Sequence, residues 1–345
     1  KDRFAGLVTS GGSLATLTAI LTARNVTLGD AWNRGLAGRK PAPVLVAHGE
    51  AHYSVLRTAG VLGLGTERIV RVGLDAKRRM DPHRLDDTLC DLRSRGVPVI
   101  AVCAGACATP IGAFDPLNDL ADVCARHEAW LHVDAAHGGA ACFSRLHRGL
   151  LAGIERADSV VCDAHKMMFV PALCAMVFYK NRDHRLAAFH QDAPYLFDPT
   201  APELVEFDSG LSNFECTKRA AAFGLWGVWS LFGRQLFADL VDVTFDLADQ
   251  FYELLRAADD FTAPYRPQAN IVVFRYEPPE LAGCTAEEVD AFQWQLRRRV
   301  IESGDAYLVA NRIDGRAILR TTLINPLTTA DDLRELLEVL RRHAR

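Results

Sequence analysis

From Pro43 to Lys180, short runs of β-branched and other apolar residues alternate with longer stretches in which apolar positions recur with a helical period. A buried strand needs only a brief apolar run, whereas a helix that packs one face needs the 3.6-residue repeat, so the alternation predicts βαβ units and a mostly parallel sheet. Strands are predicted at Val44–Ala47, Ile69–Val72, Val99–Cys103, Trp130–Val133, Ser159–Cys162 and Leu173–Tyr179. Helices are predicted at Ser13–Arg24, His52–Leu62, Pro82–Arg95, Pro116–His127 and Leu146–Arg156, several of them closing on glycine or basic residues.

The grammar changes further along. Thr217–Ala258 is helical with few breakers, interrupted chiefly near Gly233. Asn270–Tyr276 alternates as a strand, and Thr285-Ala-Glu-Glu288 forms a capping box ahead of a helix reaching Glu302. Arg316–Leu323 reads as another strand and Ala330–His343 as a closing amphipathic helix. The expected organisation is a large α/β domain over 1–216, linking helices over 217–258 and a small α+β domain over 259–345. The basic run Arg297–Arg299 reads as a solvated helix face.

Composition narrows the function classes. Of 345 residues, 49% are hydrophobic and 24% charged, with 39 Lys+Arg against 43 Asp+Glu and a net charge of −4. Such a chain buries a core and carries no polybasic surface, so neither disorder nor a nucleic-acid partner is expected. The nine cysteines are odd in number and lack CxxC pairs, which suits reduced thiols in a cytoplasmic protein. No apolar run reaches the roughly eighteen residues of a membrane span, and no leader pattern opens the sequence, so no membrane association is expected. With no HExxH motif, no metal is expected either.

The chemistry is concentrated in Leu131-His-Val-Asp134-Ala-Ala-His-Gly-Gly139 and Asp163-Ala-His165-Lys166-Met-Met168. Asp134 ends one apolar strand and Lys166 follows another, which puts both at the carboxyl edge of a parallel sheet, where α/β ligand crevices form. Taken singly, a strand-end aspartate also serves as a helix cap, and a loop lysine also simply solvates. Together they are what pyridoxal phosphate requires: an amine to form an imine and an anion facing the ring nitrogen. Ser10-Gly11-Gly12-Ser13 opens a helix, and its small residues let backbone N–H groups face a phosphate, although such a turn also serves as an ordinary cap.

Five segments carry a resemblance. Thr9-Ser-Gly-Gly-Ser13, Ala51-His52-Tyr-Ser54, Thr109-Pro-Ile-Gly-Ala-Phe-Asp115, His132-Val-Asp-Ala-Ala136 and His165-Lys166 resemble the group II pyridoxal-phosphate-dependent amino acid decarboxylases, nearest the glutamate and cysteine sulfinate decarboxylase branch. The resemblance implies a fold-type I, aspartate-aminotransferase-like architecture, pyridoxal 5'-phosphate as cofactor, and a homodimer. It implies a carboxy-lyase of amino acid metabolism that decarboxylates an L-α-amino acid through a Lys166 Schiff base and a quinonoid intermediate. His52 would stack on the ring, Asp134 pair with its nitrogen, Ala136 pack on the opposite face and Thr109 lie near the phenolic oxygen. Gly12 and Ser13 match the phosphate turn, and Asp163 and His165 flank the lysine within the cofactor site. Tyr195 falls where the branch has a loop tyrosine that protonates the substrate carbanion; an ordinary half-buried aromatic is the other reading. Arg320 resembles an arginine that binds substrate carboxylate; a surface strand arginine is the alternative.

The chain also departs from that family. Gly105-Ala-Cys-Ala-Thr109 keeps only the last threonine of the usual run, and Asp163 stands where asparagine is common. The resemblance further implies an N-terminal arm ahead of Thr9. Two other readings keep the cofactor, an aminotransferase or a decarboxylation-dependent oxidative deaminase. A third is a non-catalytic module that binds cofactor or partner.

Overall fold

The computed structural model describes residues 4–171, 173–189 and 208–344. In chain order the elements are β1 (Ala5–Thr9), α1 (Gly12–Leu28), α2 (Ala31–Arg34), β2 (Val44–His48), α3 (Tyr53–Val61), β3 (Ile69–Val72), α4 (Pro82–Ser94), β4 (Val99–Ala108), β5 (Ala113–Phe114), α5 (Leu117–His127), β6 (Leu131–Asp134), β7 (Ser159–Asp163) and β8 (Ala175–Tyr179). There follow α6 (Ala222–Ala257), β9 (Phe261–Thr262), β10 (Ile271–Tyr276), α7 (Ala286–Ser303), β11 (Val309–Ile313), β12 (Arg316–Thr322) and α8 (Ala330–Ala344). Two compact units result, Lys1–Ala108 with Phe114–Ala238, and Thr109–Ala113 with Asp239–Arg345. The division at Ala238 falls inside the long helical stretch, which breaks at Gly233 where φ is 68°.

In the first unit the sheet runs β1-β8-β7-β6-β4-β2-β3. Strands β3, β2, β4, β6 and β7 are parallel, while β8 is antiparallel to β7 and β1 to β8. Helix α1 lies on this sheet through Ala15, Ala19, Ile20 and Ala23, all fully buried, whose small side chains allow a close approach. Its buried threonines return their hydroxyls to carbonyls one turn back, as Thr22 does to Thr18 at 2.9 Å, so they cost little to bury. Ser159 Oγ bridges Trp130 Nε1 and His132 Nδ1, each at 2.9 Å, fixing the register of β6 against β7.

Two expectations are corrected, and one strand is added. Leu146–Arg156 is not one helix but two short 3₁₀ turns, Arg148–Leu151 and Ile154–Arg156. Gly153 separates them with φ at 97°, and a Cβ there would lie 2.6 Å from the backbone nitrogen of Asn118. Strand β4 continues past Cys103 to Ala108, so the Gly105–Ala108 stretch is buried strand. Strand β1, not anticipated, closes one edge of the sheet.

The second unit packs α7 and α8 with the antiparallel sheet β11-β12-β10-β9. Its core centres on Phe251, Phe274, Leu296, Leu319 and Leu340, all fully buried. The capping box at Thr285 and Glu288 is formed in both directions and starts α7 at Ala286.

Candidate active site

Strands β6 and β7 end side by side, and their last residues, Asp134 and Asp163, emerge at the carboxyl edge of the sheet. Both follow buried apolar runs, which is why the carboxylates appear where the sheet stops. Asp134 is opposite Gly105 in the β4–β6 register, and its Oδ1 accepts the Ala136 N–H at 3.1 Å. Ala136 is buried and its carbonyl accepts the Asp163 N–H at 3.1 Å, tying the two strand ends together.

A tight turn after β7 carries the lysine. Lys166 N–H donates to the Asp163 carbonyl at 3.1 Å, which folds the side chain back: Nζ lies 2.9 Å from Asp163 Oδ2. The Asp163 side chain is only 1% exposed against 34% for Lys166. Burial raises the Asp163 pKa, and the ammonium of Lys166 and then His165 oppose that shift. His165 Nε2 is 3.7 Å from the same carboxylate oxygen, while its Nδ1 faces the Cys174 carbonyl at 3.0 Å. Among the described residues nothing donates a hydrogen bond to Asp163 Oδ1, which is buried.

The same carboxylate lies against the start of α1. A Cβ on Gly12 would sit 2.5 Å from Asp163 Oδ2, so only glycine fits there. Gly11 precedes the helix with no side-chain cap, and Ser13 is half-buried in its first turn. The opening N–H groups of α1 are therefore available to an anion, reinforced by the helix dipole.

His52 caps α3, accepting the Ser54 N–H on Nδ1 at 3.3 Å. It also senses the cluster. Burial lowers its pKa, Asp134 and Asp163 raise it, and Lys166 lowers it again. His52, Asp134, Asp163, His165, Lys166, Ala136 and the Gly12–Ser13 turn are thus gathered in the first unit. Thr109 is exposed and belongs to the second unit, as does half-buried Arg320, which is opposite Val273 and Val309 in register. Tyr195 lies outside the described residues.

Sequence reasoning missed two supports. Asp115, fully buried, accepts the N–H groups of Met80 and Gly105 at 2.7 Å each and lies 3.5 Å from His48 Nε2. It thereby pins the strand residue opposite Asp134. Burial raises its pKa, while His48 and the two amide donors pull the other way. The second support is beside the phosphate turn, where Ser10 Oγ meets both carboxylate oxygens of Glu215 at 2.9 and 2.8 Å. Lys218 there donates to Asn213 Oδ1 at 2.8 Å and to the Val8 carbonyl. No local motif announces either group, because the partners are far apart in sequence.

Away from this edge, Asp86, Cys90 and His127 bring ligand-type atoms within 4.8 Å of one another. The 2.7 Å between His127 Nε2 and Asp86 Oδ1 is a hydrogen bond. Two such atoms sharing a tetrahedral metal would stand roughly 3.3 Å apart.

A mostly parallel sheet with a lysine, two carboxylates and an uncapped helix N-terminus at its carboxyl edge defines an α/β protein built to hold a phosphorylated carbonyl cofactor. The chain belongs to the pyridoxal-dependent decarboxylase family, whose conserved domain matches residues 2–277. It is 32% identical to human acidic amino acid decarboxylase GADL1 over 342 residues, 96% of this chain and 65% of that protein. To rat cysteine sulfinic acid decarboxylase it is 32% identical, over 98% of this chain and 70% of the relative. The crystal structure of mouse CSAD superposes with a TM-score of 0.91 at 30% identity, covering 99% of this chain and 72% of the other. A rice TDC structure holding PLP and tryptamine shares the fold at a TM-score of 0.89 and 24% identity, over 99% of this chain and 70% of that one. The architecture is that of the fold-type I enzymes, and the cofactor is pyridoxal phosphate. The residues present fit it: an amine on Lys166, a strand-end carboxylate on Asp134, an uncapped helix start and an orphaned buried oxygen on Asp163. The chain spans 62–65% of the length of the GADL1 relatives, less than two thirds.

Proposed function

We propose that the protein is a carboxy-lyase that decarboxylates an L-α-amino acid to the amine and carbon dioxide. The observation that carries this is the pairing of Lys166 with Asp163 beside the Gly12 turn, with His52 and Asp134 in electrostatic contact. When bound, pyridoxal phosphate supplies an electron sink for the pair of electrons left behind as a carboxylate departs. Lys166 would provide the amine that holds the cofactor. Asp134 holds positive charge at the ring nitrogen by attraction, a fixed electrostatic contribution that costs no reorganisation during reaction. His52, kept largely neutral by burial, offers a flat face for stacking, and Ala136 leaves room on the other side. Gly12 and Ser13 bind phosphate through backbone N–H groups, Thr109 attends the phenolic oxygen, and His165 orients the lysine turn. Arg320 binds a substrate carboxylate, and Tyr195 returns a proton to the α-carbon.

Relatives described as acting on acidic amino acids and cysteine sulfinate support an acidic substrate as the first to try. The test is direct. The purified protein should be yellow, lose that colour when borohydride fixes the cofactor to Lys166, and release carbon dioxide from one member of a panel. The panel comprises glutamate, aspartate, cysteine sulfinate, 2,4-diaminobutyrate and aromatic amino acids. Lys166→Ala should abolish both trapping and turnover. Gas release that requires a keto acid or oxygen would replace this reading with transamination or oxidative deamination.

The working form is proposed to be a cytoplasmic homodimer. Support for a covered surface comes from the first unit, where Phe223 and Trp226 are 70% and 62% exposed beside a largely apolar cavity of 660 Å³. The nine cysteines form no disulfide, which suits a reducing compartment. Among the described residues no helix is long and apolar enough to cross a membrane. Sedimentation analysis and fractionation of expressing cells test the two statements.

A further inference from the structure

We propose that Asp163 serves the phosphate turn as a neutral carboxylic acid, so that each phosphate bound there brings one proton into the protein with it. The proposal rests on the cofactor reading above and concerns a group that reading leaves without a task.

The geometry is specific. The Asp163 side chain is buried, and its Oδ2 is taken by Lys166 Nζ at 2.9 Å, whereas Oδ1 has no hydrogen-bond partner among the described residues. Both oxygens crowd Gly12, standing 2.5 and 3.0 Å from the position of a Cβ there. Gly12 opens α1, a 17-residue helix whose N-cap residue, Gly11, has no side chain to cap it. An anion drawn to those N–H groups therefore stands beside Asp163. Two negative charges that close, in a site with little water, are not both kept; the weaker acid takes a proton. Protonation on Oδ1 turns an orphaned acceptor into a donor aimed at the turn, and leaves Oδ2 for Lys166.

The charged surroundings pull both ways, and an incoming phosphate shifts the balance toward protonation. Lys166 and His165 face Asp163 from its own turn, at 2.9 and 3.7 Å. Asp134 on β6 adds negative charge, His52 before α3 is pushed toward neutrality, and the thiols of Cys162 and Cys174 bring no cation. Lys166 is thus the nearest positive charge, and an incoming phosphate competes with Asp163 for it. Burial already displaces Asp163 toward its protonated form.

The test uses the full-length protein stripped of cofactor and pyridoxine 5'-phosphate, whose alcohol does not condense with a lysine. Calorimetric titration in two buffers of different ionisation enthalpy counts the protons taken up, on the alkaline side of neutrality where the ligand phosphate is already a dianion. The wild type should take up about one proton more than Asp163→Asn, and its affinity should fall by up to about tenfold per pH unit relative to that variant. Equal proton counts and parallel pH profiles in the two proteins overturn the proposal. Should Asp163→Asn fail to fold, the wild type still decides: binding of the ligand without proton uptake overturns the proposal, and uptake supports it. Borohydride fixation of pyridoxal 5'-phosphate on Lys166, located by peptide mass, tests the cofactor reading separately. Fixation with no proton uptake removes only the role of Asp163, whereas failure of both fixation and binding removes the cofactor reading with it.

Discussion

Lys166 and Asp163 form an ion pair across a single turn, Nζ to Oδ2 at 2.9 Å, in which the acid is buried and the base is one-third exposed. The acid is held there at a cost, since burial is the largest influence on it and the lysine offsets only part. Its pKa in the folded protein lies above the ordinary 3.8, so the native state binds more protons than the unfolded one between those two values. Stability should therefore fall as pH rises through that window. Lys166→Met should steepen the fall and cost about 1–3 kcal/mol at neutral pH, less than a fully buried pair because the lysine is partly solvated. Asp163→Asn should flatten it. Urea denaturation midpoints from acid to neutral pH measure both, and identical slopes in all three proteins would refute the assignment.

Gly12 offers a test of local crowding. Alanine at a helix start is intrinsically favoured over glycine by about 0.5–1 kcal/mol. Here a Cβ would collide with Asp163 at 2.5 Å, so the sign should reverse. Gly12→Ala should destabilise by about 1–3 kcal/mol. In an Asp163→Ser background the penalty should shrink, giving a coupling of at least about 0.5 kcal/mol in a double-mutant cycle. Additive effects would show that the two residues do not touch.

Asp115 braces the sheet from behind the site. Asp115→Ala would strip the buried N–H groups of Met80 and Gly105 of their acceptor and should cost about 3–5 kcal/mol. Asp115→Asn keeps one acceptor oxygen and should cost less. Because Gly105 is opposite Asp134, the alanine variant should also shift the absorbance of bound cofactor, which a loss confined to the distant core would not do. Thermal melts and holoenzyme spectra recorded on the same samples separate the two effects.

The second unit should depend on its aromatic core. Phe251 and Phe274 meet edge to face with centroids 5.5 Å apart, both fully buried. Phe251→Ala should cost about 3–5 kcal/mol of stability. A loss below about 1 kcal/mol in chemical denaturation would mean that this core is not closed.

Much of this was legible in the residues, and the reasons differ from place to place. Strands β6 and β7 were readable because apolar runs stop at an aspartate, and that same stop put Asp134 and Asp163 at the sheet edge. The start of α7 was readable because the capping box at Thr285 is written locally. Strand β1 was not, since five residues that include Gly6 carry little periodicity and gain their strand state by pairing with β8. The stretch from Leu146 to Arg156 has helical periodicity, yet the approach of Asn118 to Gly153 overrides it. The ion pair of Lys166 with Asp163 was not anticipated, since sequence reasoning joined the lysine to Asp134 through the cofactor. The grip of Asp115 on Gly105, like that of Glu215 on Ser10, depends on residues that only tertiary folding brings together.

The lysine rides on a link between β7 and β8, neighbours that run in opposite directions and are laddered from Ser159 against Tyr179 to Asp163 against Ala175. Inside that link, Ala164 N–H is tied to the Cys174 carbonyl at 2.9 Å and Val170 N–H to the Ala164 carbonyl at 3.0 Å. A tether fastened at these points restrains the backbone that carries its passenger. The reach of the amine is then set chiefly by its own four-carbon stem, so a compound it is to greet is best delivered within that short radius.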